Sequence, residues 1–202
     1  MIDSFLTQLA ATSWQEGVAV VLALFYVWLA AKQNIWCWPS ALVSTGIYTW
    51  LFWSVSLPFH TALIFYYLLM AVYGWGKWNN RNEQPLQVKT WPLQRHIICI
   101  LSVACFAWGL SHYASAMLDA NYLYLDAFVT VFSVFTTFLV THKIRENWLY
   151  WIVINLFGSY LFFAKDLALT GVLFLCYTGF AVFGYMQWRI QPETGRCNTE
   201  LT

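Results

Sequence analysis

Apolar residues run through this chain in long stretches, and polar residues gather in short breaks between them. A helix that crosses a membrane takes about 20 mostly apolar residues. Seven stretches suit that length, near residues 15–33, 35–55, 58–78, 97–117, 124–142, 147–164 and 167–188. The short breaks are Lys32-Gln33-Asn34, Ser56-Leu57-Pro58, Leu118-Asp119-Ala120-Asn121, Arg145-Glu146-Asn147 and Lys165-Asp166. One long break, 79–96, carries Arg81, Glu83, Lys89 and Arg95. The pattern predicts an all-α protein of seven transmembrane helices in one membrane domain, 1–202. Its parts are a first triplet over 15–78, a connecting helix over 97–117, a second triplet over 124–188 and a cytoplasmic tail over 189–202.

A weak internal repeat supports this 3+1+3 division. Residues 38–78 align with 148–188 at a constant offset of 110 without gaps. The register superposes Trp38 on Trp148, Tyr67 on Tyr177, Gly74 on Gly184 and Trp78 on Trp188, among other identities. Apolar segments match often by chance, so these Trp, Tyr and Gly coincidences carry the inference. An odd number of crossings in the first triplet would invert a second one attached directly, and a single extra helix restores parallel orientation. Parallel repeats about an axis along the membrane normal are a transporter plan, with the site near mid-membrane between them.

Charge fixes an expected orientation. With seven spans threaded, Lys32, Lys77, Arg81, Lys89, Arg95, Lys143, Arg145, Arg189 and Arg196 share one side, and Lys165 alone joins the N-terminus on the other. Cytoplasmic loops hold the Lys and Arg excess, so the N-terminus is expected outside and the C-terminus in the cytoplasm. No Lys or Arg precedes Lys32, so a cleavable signal peptide is not expected. Composition agrees with a membrane protein: 60% of residues are hydrophobic and 9% charged, where soluble domains spend about a quarter on charge. The net charge of +1 gives no footprint for nucleic acid.

Polar residues within the spans are the candidates for function, because lipid makes them costly without partners. Trp151 and Asn155 lie four apart, on one face of the sixth span. A ring face beside an amide can stack a flat heterocycle and bond its edge, although a belt Trp and an Asn bonding another helix have the same spacing. The second span offers Asn34, Trp36, Trp38, Ser44, Thr45 and Tyr48, and Thr45 is the repeat counterpart of Asn155. Tyr67 and Tyr177 are paired by the repeat, and Trp148 sits near Trp151. Asp126, at the start of the fifth span, either attracts a cationic substrate or serves as an N-terminal helix charge.

Enzyme patterns are missing. The four His residues form no HExxH, and neither a GxSxG elbow nor a P-loop occurs. The five cysteines form no CxxC pair, and neither metal nor cofactor is expected. Nor is there a run of buried acids suited to a proton relay, which leaves passive facilitated diffusion as the expected mechanism. A membrane receptor or assembly subunit without transport activity is the reading from another class, and the short loops offer little surface for its partner.

Residues Arg145-Glu146-Asn147-Trp148-Leu149-Tyr150-Trp151 through Asn155 resemble the ENWLxWxxxN stretch of the PnuC vitamin transporters. Tyr73-Gly74-Trp75 and Asp126 add to that resemblance, which runs from about residue 16 to 188. It implies a full-length SWEET-like fold, a homotrimer, and downhill uptake of nicotinamide riboside or, in sister groups, thiamin or riboflavin. It also implies that a cytoplasmic kinase traps the vitamin by phosphorylation, and that Trp151 and Asn155 contact it. A Gln that the family often carries about ten residues before Tyr-Gly-Trp is here Ile64, or Phe65 with a shift of one. That departure raises thiamin as a rival to nicotinamide riboside.

Overall fold

A computed structural model describes residues 14–54, 58–79, 87–116, 122–165 and 168–190, and the side chains of all of these except 15, 16, 48, 50–54 and 58–63. Most of the described residues lie in seven helices. They are α1 (Trp14–Ala31), α2 (Cys37–Ser54), α3 (Pro58–Trp78), α4 (Leu93–Ser115), α5 (Leu123–Thr141), α6 (Asn147–Ala164) and α7 (Ala168–Ile190). In hydrocarbon every peptide group needs a partner within the protein, and a helix supplies it locally. Four of the seven, α4 to α7, are long and apolar enough to cross a membrane. The expected tail over 189–202 lies outside the described residues beyond Ile190, as do Asp119, Asn121, Arg81, Glu83 and Asp166.

Helix α4 starts about a turn before its apolar stretch, because its polar first turn is held. His96 is buried there and shares a 2.9 Å hydrogen bond with the Tyr150 hydroxyl of α6. The end of the long break is also anchored. Lys89 donates its N–H to Lys143 O at 2.9 Å and accepts from Arg145 N at 2.9 Å, docking this segment against the α5–α6 turn.

Contacts between helices follow a closed course. α1 packs on α2, α2 on α3, α3 on α5, α5 on α6, α6 on α7, and α7 returns to α1. α4 packs mainly on α5, and its side chains also reach α6 through His96 and Tyr150.

The α1–α2 and α5–α6 turns have the same construction. Gln33 and Lys143 stand at the helix ends with left-handed φ of 55° and 53°. In the first, Gln33 N donates to Ala30 O and Asn34 N to Leu29 O; in the second, Lys143 N donates to Val140 O and Ile144 N to Leu139 O, all at 3.0 Å. These paired bonds satisfy the last carbonyls of each helix, as in a Schellman motif.

Two aromatic clusters match as well. Trp38 meets Trp78 edge-to-face at 5.2 Å and 87°, and Trp148 meets Trp188 at 5.5 Å and 88°. Each inner ring lies on a glycine: Trp38 on Gly74, and Trp148 on Gly184. The outer indoles then reach across the molecule. Trp78 Nε1 donates to Thr141 O of α5 at 3.1 Å, and Trp188 Nε1 donates to Ala30 O and Ala31 O of α1 at 3.2 and 3.1 Å.

A Cβ on Gly184 would stand 2.6 Å from the buried Trp148 ring, whereas one on Gly179 would meet nothing within 4 Å. Gly184→Ala is therefore expected to destabilise the fold by about 1–3 kcal/mol, the usual cost of overpacking. Gly179→Ala should leave stability unchanged. Thermal unfolding of the two variants in detergent checks this; equal midpoints would contradict the packing described.

Candidate functional site

A cavity of about 170 Å³ opens between α1, α5, α6 and α7. Ala23, Tyr26, Val27 and Ala30 of α1 form one wall, Val140 comes from α5, Trp148, Trp151 and Asn155 from α6, and Tyr177 and Ala181 from α7. The wall from α1 is a single stripe, because residues spaced by three, four and seven share a helix face. Its alanines let the aromatic side chains project across open space.

Trp151 and Asn155 reach the cavity together, one helical turn apart, as their spacing predicts. Asn155 is 4% exposed, and among the described residues no hydrogen bond engages its amide. A buried amide facing a cavity can both donate to and accept from a ligand. Trp148 contributes one edge while its ring packs on Gly184 and Trp188. Tyr177 adds a phenol. Among the described residues no Lys, Arg, His, Asp or Glu lines the space.

Other residues singled out from the sequence lie elsewhere. Trp38 is buried one layer behind Tyr26, 6.1 Å between ring centroids, and packs on Gly74 and Trp78. The Thr45 hydroxyl donates to Ala41 O of its own helix at 2.7 Å and does not line the cavity. Tyr67 lies tilted beside Tyr66, 5.8 Å between ring centroids, and reaches toward Ser133 of α5. Asp126 forms a half-exposed ion pair with Lys165 at 3.3 Å, away from the cavity lining. The Tyr48 side chain lies outside the described residues.

Tyr26 was not singled out from the sequence, and neither was the rest of the α1 stripe. The available signal was the combination of small residues at Ala23 and Ala30 with an aromatic between them on one face.

Basic residues gather at one end of the bundle. Lys143 Nζ lies 4.5 Å over the Trp78 ring and donates to Gln33 Oε1 at 3.2 Å. Burial pushes the Lys143 amine below the usual lysine value, with Cys37 acting more weakly the other way. Beside it, burial lowers the His142 imidazole, against a carbonyl of Phe138 that acts to raise it.

The family described as "Nicotinamide mononucleotide transporter" matches residues 13–190. The nicotinamide riboside transporter PnuC of Escherichia coli is 22% identical, over 87% of this chain and 85% of that protein. The riboflavin/roseoflavin transporter RibM of Streptomyces davaonensis is 23% identical, over 89% and 86%. A crystal structure of the vitamin B3 transporter PnuC superposes with a TM-score of 0.70 at 19% identity, covering 93% of this chain and 86% of that one.

Proposed function

Since the chain belongs to the nicotinamide mononucleotide transporter family, and is a multi-pass inner-membrane vitamin transporter rather than an enzyme, we propose that its cargo is nicotinamide riboside. The observation that carries this reading is the cavity lining: among the described residues it has tryptophan and tyrosine rings, the Asn155 amide and no charged side chain. A pyridinium ring stacked on Trp151 gains cation–π attraction of about 0.5–2 kcal/mol, and the carboxamide on that ring matches the donors and acceptors of Asn155. The phosphate of a mononucleotide, by contrast, would lose its water in a site that offers it no cation, which is costly. This argues for the riboside. The volume of about 170 Å³ is below the 300–1,000 Å³ usual for small-molecule sites, which favours a small cargo over one with the three fused rings of a flavin.

Thiamin is the second reading. It too carries a cationic ring, and Ile64 and Phe65 supply no amide where the family often carries a Gln. Carrier action is downhill in this proposal, with a cytoplasmic kinase trapping the product, and the chain works as a homotrimer.

The seven spans are read as parallel triplets, 3+1+3, related by an axis along the membrane normal. Support comes from the contact pattern, in which α1 on α7 and α3 on α5 exchange when the triplets are exchanged. The matched turns at Gln33 and Lys143 extend the equivalence beyond the residues aligned from sequence. The end that carries Lys143, Arg145 and Lys89 is read as cytoplasmic by the positive-inside rule.

Proteoliposomes enclosing a riboside kinase and ATP should accumulate labelled nicotinamide riboside above protein-free vesicles. The same preparation with a thiamin kinase tests the rival. Uptake of neither vitamin would rule out this class of cargo.

Within the site, Trp151→Ala and Asn155→Leu should each weaken binding by about 1–3 kcal/mol, as expected for losing a stacking partner or stranding a ligand polar group. Thr45→Val should leave affinity unchanged, because its hydroxyl is spent on its own helix. Titration calorimetry on the three variants measures this, and equal affinity in all three would remove Trp151 and Asn155 from the site.

A further inference from the structure

At its Lys/Arg-bearing end the cavity is closed by matched parts of both halves. Ala30 of α1 and Val140 of α5 line the cavity there, and they are separated by the repeat offset of 110. Three residues further on in each chain segment stand Gln33 and Lys143, also 110 apart. Both occupy the left-handed region, with φ of 55° and 53°. Glycine is the usual occupant of such a helix end, and a longer side chain there carries a conformational cost. These two side chains use the position to meet: Lys143 Nζ donates to Gln33 Oε1 at 3.2 Å. The ammonium also covers Trp78 at 4.5 Å, and Trp78 and Trp188 each donate to a helix end of the opposite half.

We propose that Gln33 and Lys143 form the gate at this end of the transport path, with the Lys143 side chain as its bolt and the indoles of Trp78 and Trp188 as the frame. This rests on the transport function proposed above. Three features support it. Every bond in the set joins residues 14–78 to residues 123–190, so parting the halves at this end breaks all of them together. Residues at element ends commonly absorb the dihedral changes of domain motion, and strained ones persist where surrounding contacts hold them. Lys143 also places a positive charge beyond the cavity floor, where it opposes the exit of a cationic ring. Swinging the side chain off Trp78 removes both the hydrogen bond and that repulsion.

The test is access to the cavity floor. Val140→Cys, in a background with native cysteines replaced by alanine, reports access when a membrane-impermeant maleimide is added to the Lys/Arg-bearing face of membrane vesicles. Adding Lys143→Met should speed labelling about tenfold, the equilibrium shift that 1.4 kcal/mol represents. Gln33→Leu breaks the same bond from the other side and should act likewise, which guards against a fold defect in either variant. Lys32→Met removes an exposed charge at the same end, one that lies over Trp28, and should change nothing. Labelling unaltered by both Lys143→Met and Gln33→Leu overturns the gate, as does an equal rise with Lys32→Met. Because the readout needs no cargo, faster labelling in a protein that binds neither vitamin would leave the gate standing and remove the cargo assignment.

Discussion

The structure depends on an exchange of indole hydrogen bonds between its two halves. Trp78 from the first half reaches the end of α5, and Trp188 from the second reaches the end of α1. Carbonyls in a last helical turn have no partner within the helix, and in a membrane they cannot rely on bulk water. The indoles supply donors there, and their rings bring a large apolar surface to the same place. Glycine makes this geometry possible. Gly74 and Gly184 let Trp38 and Trp148 lie flat against α3 and α7, and each buried ring then holds its partner indole edge-on. The close approach of helices at small residues is the common means of packing where lipid offers no hydrophobic drive.

The cavity follows from the same arrangement. In the first half, Trp38 is drawn back behind Tyr26, so among the described residues of that half the α1 stripe alone reaches the open space. In the second, Trp148 keeps an edge in the cavity while packing on Gly184, and Trp151 and Asn155 follow it along α6. The site is therefore asymmetric inside a frame built from matched parts. That asymmetry gives an amide to one wall and aromatic and small side chains to the other, which suits a ring with one hydrogen-bonding edge. Among the described residues the lining also carries no charged side chain.

Much of this was legible in the sequence, for reasons that differ by feature. The helices were readable because lipid demands long apolar runs, and α6 begins and ends where its polar flanks do. Trp151 and Asn155 were readable because four residues make about one turn. Thr45, the repeat counterpart of Asn155, lies off this lining: equivalent backbone positions do not carry equivalent chemistry when a short hydroxyl can bond its own helix. Tyr26 was invisible because no strongly polar residue marks α1 beyond its first turn, and a cavity depends on what small residues leave empty. The docking of Lys89 between Lys143 and Arg145 was also hidden, since a backbone bridge outside the membrane leaves no hydrophobic pattern. Nor did the offset alignment reach Gln33 and Lys143, which differ in type and agree only in backbone conformation.

The central claim is that an uncharged aromatic cavity selects a phosphate-free cationic ring. Ligands that bind only the folded state raise its melting temperature, and at equal concentration a tighter ligand raises it more. Thermal unfolding of the purified protein with nicotinamide riboside, nicotinamide mononucleotide, thiamin and riboflavin, compared at equal concentration, is the most direct measurement. The account predicts a clear rise with nicotinamide riboside and none with the mononucleotide. Equal stabilisation by the mononucleotide, or none by any cationic ring, would contradict it.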